Sequence, residues 1–183
     1  IPHNGNLSNG RMFALTTFSG DPLTKAWADA RQRWEPLFEA IQMKGQSESH
    51  PSLSTTDDFA AYELWDRGNL TQVPKAPGQI QHEYAREALK NGLKVEQELG
   101  TNPFKFGMAG GTDTHNALSA ADEDNFFGKF PSAEPRPDRW EEDAMNFGPN
   151  RIVKGWEMTA AGYTGVWATP NTRAELWDAM TRR

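Results

Sequence analysis

The spacing of apolar residues alternates along this chain between strand patterns and helix patterns, and that alternation most constrains the fold. Short apolar runs bounded by Pro or Gly predict strands over residues 37–43, 104–109 and 163–168. Helical spacing predicts helices over residues 22–34, from Asp57 or Asp58 through Leu64, over 79–99, and after a cap at Asn171 or Thr172. Strands that alternate with helices form βαβ units, so the sequence predicts an α/β fold around a parallel sheet, either open or closed as a barrel.

Composition excludes several classes of function. The chain has 183 residues, which suits a single domain. Its net charge of -6 argues against a protein that binds the phosphate backbone of a nucleic acid. No apolar run approaches the roughly 20 residues that a membrane-spanning helix needs. Cysteine is absent, which excludes disulfides and thiolate metal sites. The sequence also lacks a P-loop, a GxGxxG motif and a GxSxG motif, so no motif supports nucleotide binding or serine-hydrolase activity.

An Asp-x-His pair, Asp113 and His115, follows the predicted strand 104–109 through Gly110 and Gly111. Functional loops of α/β folds follow the carboxyl ends of strands, and a carboxylate beside an imidazole suits Zn²⁺, Mn²⁺ or Fe²⁺. The two glycines favour function because they let the backbone approach a ligand closely. The alternative is structural, with Asp113 bonding local backbone and His115 capping the next helix.

Further candidate ligands lie in polar loops. His3 and Asn4 belong to a Gly- and Asn-rich loop, where His3 can be structural and Asn4 can orient a ligand or shape a turn. Glu48 and His50 are also two residues apart, but neighbouring serines fit a solvated loop as well as a metal site.

Two charged residues are associated with the strand 37–43. Glu39 lies within it, and a buried carboxylate requires a partner or a metal, unless the strand is at an edge and Glu39 faces solvent. Lys44 follows the strand and can either neutralise an anionic substrate or pair with an acid.

Several long motifs occur in a fixed order: IPHNGNLSNG (1–10), QMKGQSESHP (42–51), FKFGMAGGTDTH (104–115) and SAADEDNFFGK (119–129), with GYTGVWA (162–168) and NTRAELWDAM (171–180) after them. Together they resemble an uncharacterised bacterial family of PHP-like proteins, within the polymerase-and-histidinol-phosphatase superfamily of metal-dependent phosphoesterases. The resemblance covers nearly the whole chain. It implies a distorted β/α barrel of PHP type that holds two or three divalent metal ions (Zn, Mn or Fe).

The resemblance also implies roles for individual residues. Asp113 and His115 match the late Asp-x-His of the superfamily, and His3 matches a mid-chain histidine ligand. A remaining ligand falls on Glu48 or His50, with Glu39 as a competitor.

The chain departs from the superfamily because it contains no His-x-His motif, which relatives carry early in the domain. A full-length relative would hold that motif upstream of Ile1. We therefore expect residues 1–183 to be a single domain that is the carboxyl-terminal portion of a PHP-like domain, with a barrel that is incomplete in this chain.

The expected function is a metal-dependent hydrolase, a phosphoesterase that uses metal-activated water. The expected catalytic residues are Asp113, His115 and Lys44, and the expected substrate contacts are Asn4 and Lys44. The expected metal ligands are His3, Glu48, His50, Asp113 and His115. The alternative is a non-catalytic fragment or binding subunit that lacks the early ligands.

Expected partners follow from the same resemblance. They are a small phosphorylated substrate and either a second copy or the missing part of the domain, with no nucleic acid and no membrane span. An exported or periplasmic location is favoured over a cytoplasmic one.

Overall fold

A computed structural model describes residues 1–117, 124, 129–130, 136–158 and 162–183 of the chain. Its strands are β1 (Leu37–Gln42), β2 (Gly45–Gln46), β3 (Gly107–Gly110), β4 (Asp143–Asn146) and β5 (Ile152–Lys154). Its α-helices are α1 (Lys25–Trp34), α2 (Ala85–Leu99) and α3 (Arg173–Arg182). Short 3-10 helices cover Gly5–Leu7, Ile80–His82, Arg139–Glu141 and Gly155–Glu157.

The larger sheet has three strands in the order β2-β1-β3. β1 pairs antiparallel with β2 and parallel with β3, and α2 lies between β1 and β3 in the chain. This confirms the predicted parallel pairing, with β1 in the middle of the sheet rather than at an edge. Strands β4 and β5 form a separate antiparallel pair.

The expected β/α barrel is wrong. The strands of the described residues form two small sheets of three and two strands, and neither sheet closes on itself. Residues 163–168, predicted as a strand, form none, and residues 57–64 form successive turns instead of a helix. The fold is therefore a small mixed α/β arrangement with an open sheet.

The main core lies between the sheet and α2. Phe38 and Ala40 alternate along β1 toward Ala85 and Ala88 of α2, and Phe13 and Phe104 complete this cluster. The ring of Phe13 meets the ring of Phe38 edge-on at 5.0 Å and the ring of Phe104 at 5.5 Å. Strand alternation leaves Leu37, Glu39 and Ile41 half-buried on the opposite face of β1.

A second core cluster joins the β4–β5 pair to the amino-terminal loop. Leu7, Met43, Trp65, Val153 and Met158 are buried together, so the end of β1 lies between two apolar clusters. Among the described residues no helix is both long enough and apolar enough to cross a membrane.

Replacing Phe104 with Ala should test the main core. Phe104 is fully buried, so Phe104→Ala is expected to lower the free energy of unfolding by about 3–5 kcal/mol. The matched control Phe18→Ala removes a ring that is 88% exposed and should cost less than about 1 kcal/mol. Urea denaturation of both variants measures the difference, and equal losses would contradict the packing described here.

Candidate functional site

Asp113 is the centre of a cluster of polar side chains at the carboxyl end of β3. One carboxylate oxygen, Oδ2, accepts hydrogen bonds from Lys44 Nζ, from Lys129 Nζ at 2.7 Å and from Gln42 Nε2 at 3.1 Å. Lys129 Nζ also donates to the backbone carbonyl of Asp113 at 2.9 Å. Two ammonium groups and an amide, from the end of β1 and from the segment at Lys129, thus converge on one oxygen atom.

Both lysines of this cluster are buried, with side chains only 5% exposed. Burial alone would raise the pKa of Asp113, but the hydrogen bonds from Lys129 and Lys44 outweigh burial and lower that pKa below its usual value. Burial is the largest cause that lowers the pKa of Lys129 to about 8; Asp113 opposes this change, and the charge of Lys44 adds to it. The trio thus contains two basic groups and one acidic group.

The side-chain amides of Gln42 and Asn4 hold this cluster in place. Gln42, the last residue of β1, donates from Nε2 to Asn4 Oδ1 at 2.7 Å and accepts the backbone N–H of Lys44 at 2.6 Å. Asn4 adopts a left-handed backbone conformation with φ of 57°, a region in which Asn is enriched. The predicted contact residues Asn4 and Lys44 therefore lie in one network with Asp113.

His115 lies at the outer side of the cluster. Its side chain is 53% exposed, and its Nε2 atom is 3.6 Å from Oδ1, the second carboxylate oxygen of Asp113. Its ring stacks on Phe130 at 5.4 Å between centroids, and its backbone N–H donates to the carbonyl of Lys129 at 2.8 Å. The Asp-x-His pair thus presents one carboxylate oxygen and one imidazole nitrogen side by side.

Glu39 approaches the same loop from the other face of β1. Its Oε1 atom lies 2.9 Å from the place that a Cβ atom at Gly111 would occupy, so a side chain there would displace the carboxyl group. Burial raises the pKa of Glu39, the charge of His3 opposes that change, and the charge of Asp113 adds to it. The exposed His3 adjoins Pro2, whose carbonyl accepts the backbone N–H of Glu39 at 2.9 Å.

Glu48 and His50 make their contacts elsewhere. Glu48 pairs with Arg86, with 2.7 Å between Oε1 and Nη2. His50 Nε2 lies 3.3 Å from Asp66 Oδ2, and its Nδ1 lies 2.7 Å from Ser52 Oγ. The structure therefore groups Asp113, His115, Lys44 and Asn4, places Glu39 and His3 beside them, and engages Glu48 and His50 in other pairs.

The donor atoms fit a divalent cation only in part. Asp113 Oδ1 and His115 Nε2 are a carboxylate and an imidazole of the kind that bind Zn²⁺ or Mn²⁺. Within the described ranges, however, no three His, Asp or Glu side chains are grouped closely enough to hold a metal ion. These residues supply a pair of ligands, and a complete coordination shell would require others.

Lys129 is the functional candidate that sequence reasoning missed. It ends the motif at residues 119–129, most of which lies outside the described residues. A lone lysine after Gly128 carries no periodic or spacing signal. Only its position in the structure, within hydrogen-bond distance of Asp113, identifies it.

Comparison with protein families gives one result. The family model described as "Protein of unknown function (DUF3604)" matches residues 1–183. The chain belongs to this family. No curated protein and no solved structure matches the chain. The family description assigns no activity, so the resemblance to the PHP superfamily stays a prediction.

The pKa of Lys129 predicts a pH effect on stability. Between about pH 8 and the usual lysine value of 10.5, the unfolded chain holds a proton that folded Lys129 has lost, so the stability contributed by this residue rises with pH. The free energy of unfolding of the wild type, minus that of Lys129→Met, should therefore increase across this window and be constant below it. Urea denaturation at several pH values measures this difference.

The control for this prediction is Lys90→Met, which removes a lysine whose side chain is 60% exposed. The difference between wild type and Lys90→Met should stay flat over the same pH range. A flat difference for Lys129→Met as well would contradict the burial of this amine.

Proposed function

We propose that this chain carries part of the active site of a metal-dependent hydrolase that acts on a small phosphoester. The observation that carries the proposal is the two-sided environment of Asp113. Its Oδ2 atom contacts two buried ammonium groups, whereas its Oδ1 atom faces the imidazole of His115. One side is suited to anion recognition and the other to binding a cation.

The charge of the cluster supports an anionic substrate. Lys44 and Lys129 bring two positive charges, and Asp113 offsets one of them. Burial raises the pKa of Glu39 and so disfavours its ionised form. Glu39 therefore offsets less of the positive charge of the lysines than an exposed carboxylate would. An uncompensated ammonium in a buried site is stabilised by an incoming oxyanion, and phosphoryl oxygens accept charge-assisted hydrogen bonds from such amines.

The metal is the part of the proposal that needs further ligands. Asp113 Oδ1 and His115 Nε2 would hold it, with Glu39 and His3 nearby. A bound divalent cation supplies an activated water and polarises the phosphoryl group. Lys44 and Lys129 would orient the phosphoryl oxygens, and the amide of Gln42 would keep the carboxylate of Asp113 in position.

A second candidate is a non-catalytic module that binds a small anion. This function is favoured by the occupation of Asp113 Oδ2 by lysines and by the lack of three converging ligands among the described residues. Both candidates use the same two lysines to recognise the anion. They differ in whether Asp113 and His115 bind a metal ion.

Metal content and hydrolysis distinguish these functions. The purified protein is equilibrated with Mn²⁺ or Zn²⁺, its bound metal is measured by mass spectrometry, and its turnover is followed with p-nitrophenyl phosphate and bis(p-nitrophenyl) phosphate. Asp113→Asn keeps the shape of the side chain but removes its charge. We expect this variant to lose its bound metal and to lose turnover by about 100-fold or more.

The matched control is Asp143→Asn, which removes an exposed carboxylate paired with Lys154 in the β4–β5 hairpin. It should leave both metal content and turnover unchanged. Full metal content in Asp113→Asn would refute the ligand role of Asp113. Wild-type protein that binds inorganic phosphate but retains no metal and hydrolyses neither compound would support the binding module instead.

A further inference from the structure

An apolar cavity opens beside Glu39 on the face of the sheet opposite to α2. It has a volume of about 270 Å³. Its apolar lining includes Leu37 of β1, Ala109 of β3, Met180 of α3, and Val166 from the segment before α3. Glu39 and His3 lie at one end of it. The cavity therefore has an apolar body and a polar mouth.

The wall formed by residues 164–166 is fixed to the sheet by one side chain. Thr164 Oγ1 accepts the backbone N–H of Gly110 at 2.7 Å and donates to the carbonyl of the same residue at 2.6 Å. Gly110 is the last residue of β3. The hydroxyl group of Thr164 thus substitutes for a neighbouring strand and holds Val166 over the cavity.

The mouth of the cavity lies near the cluster around Asp113. Glu39 lines the mouth, and its carboxyl group lies against Gly111, two residues before Asp113. Gly110 also lines the cavity, so the loop that begins there passes within three residues from the cavity wall to Asp113, the partner of both lysines. The charges of Asp113, Lys44 and Lys129 all act on the carboxyl group of Glu39, so the mouth of the cavity lies near the lysine cluster.

The size of the cavity limits what it can hold. An apolar cavity of about 150 Å³ accepts a benzene ring in other proteins. The volume here is larger, and a second cavity of about 290 Å³ shares Leu37, Ala109, Thr164, Val166 and Met180 with it. An aromatic ring therefore fits beside Glu39, with room along the groove for a substituent.

We propose that this groove is the subsite for the leaving group of the substrate, and that the substrate is a phosphoester of an aryl or compact branched-alkyl alcohol. The inference rests on the proposed function. Among the described residues, Glu39 and His3 are the charged side chains that line the cavity beside Glu39, whereas Arg182 and Arg183 line the second cavity. The apolar walls next to Glu39 disfavour a sugar there. The buried amines of Lys44 and Lys129 attract the phosphoryl group to Asp113, so the apolar group of the substrate belongs in the groove.

Three phosphate compounds test this subsite. Binding of inorganic phosphate, methyl phosphate and phenyl phosphate to the protein is measured by isothermal titration calorimetry in the presence of Mn²⁺. Wild-type protein should bind phenyl phosphate at least about tenfold more tightly than methyl phosphate, because only the ring buries apolar surface. Val166→Asn places an amide in the wall and should reduce this ratio to about twofold or less while leaving inorganic phosphate binding unchanged.

Matched variants keep the test specific. Val166 and Val73 are both partly exposed, at 39% and 47%, so Val73→Asn makes the same chemical change outside the groove and should keep the tenfold ratio. Thr164→Val removes the hydroxyl group that binds Gly110 and should lower the ratio, and Thr164→Ser should restore it.

Each remaining result overturns a definite statement. Equal affinity for phenyl and methyl phosphate, with both binding, overturns the subsite and leaves the proposed function standing. No binding of any compound, including inorganic phosphate, overturns the proposed function and the subsite with it. Equal affinities together with a wild-type mass of two chains, reduced to one by Val166→Asn in sedimentation, would assign the groove to a second copy of the chain.

Discussion

The structure depends on one shared carboxylate oxygen. Asp113 Oδ2 is the anionic partner that the buried amines of Lys44 and Lys129 have in common, and these residues come from separate parts of the chain. Burying an ammonium group is unfavourable unless an opposite charge accompanies it. The end of β1, the loop after β3 and the segment at Lys129 are therefore stable only when they are together, so the same interaction organises the fold and assembles the site.

The amino-terminal loop connects this cluster to other segments through hydrogen bonds. The side chain of Asn6 donates to the carbonyls of Lys44 at 3.0 Å and Trp65 at 2.9 Å, and the backbone carbonyl of Asn6 accepts from Lys75 Nζ at 2.7 Å. Lys75 in turn pairs with Asp66, the partner of His50, and with the fully buried Glu83. The part of the Gly- and Asn-rich loop at Gly5–Leu7 is thus buried, and the pair at His50 supports the segment that holds Asn4.

Sequence patterns predicted the elements that depend on short-range interactions, such as β1 and α3. β1 lies within the apolar run at residues 37–43. α3 begins after Thr172, whose side chain accepts the backbone N–H of Glu175. The parallel ends of β1 and β3 explain why Lys44 and Asp113 meet. The sequence could not show that Asp57 pairs with Arg86 rather than beginning a helix, nor that Lys129 joins the site, because both depend on contacts between distant segments.

The central position of β1 explains how one strand serves two chemistries. Successive side chains of a strand point to opposite faces, so Gln42 reaches Asp113 from the face that packs on α2, and Glu39 reaches Gly111 from the other face. The open sheet leaves that second face to Thr164, Val166 and α3, which cover it with an apolar groove instead of another strand. Charge recognition and apolar recognition therefore meet at residues 111–113, because the strand beside this loop offers a different side chain to each of its sides.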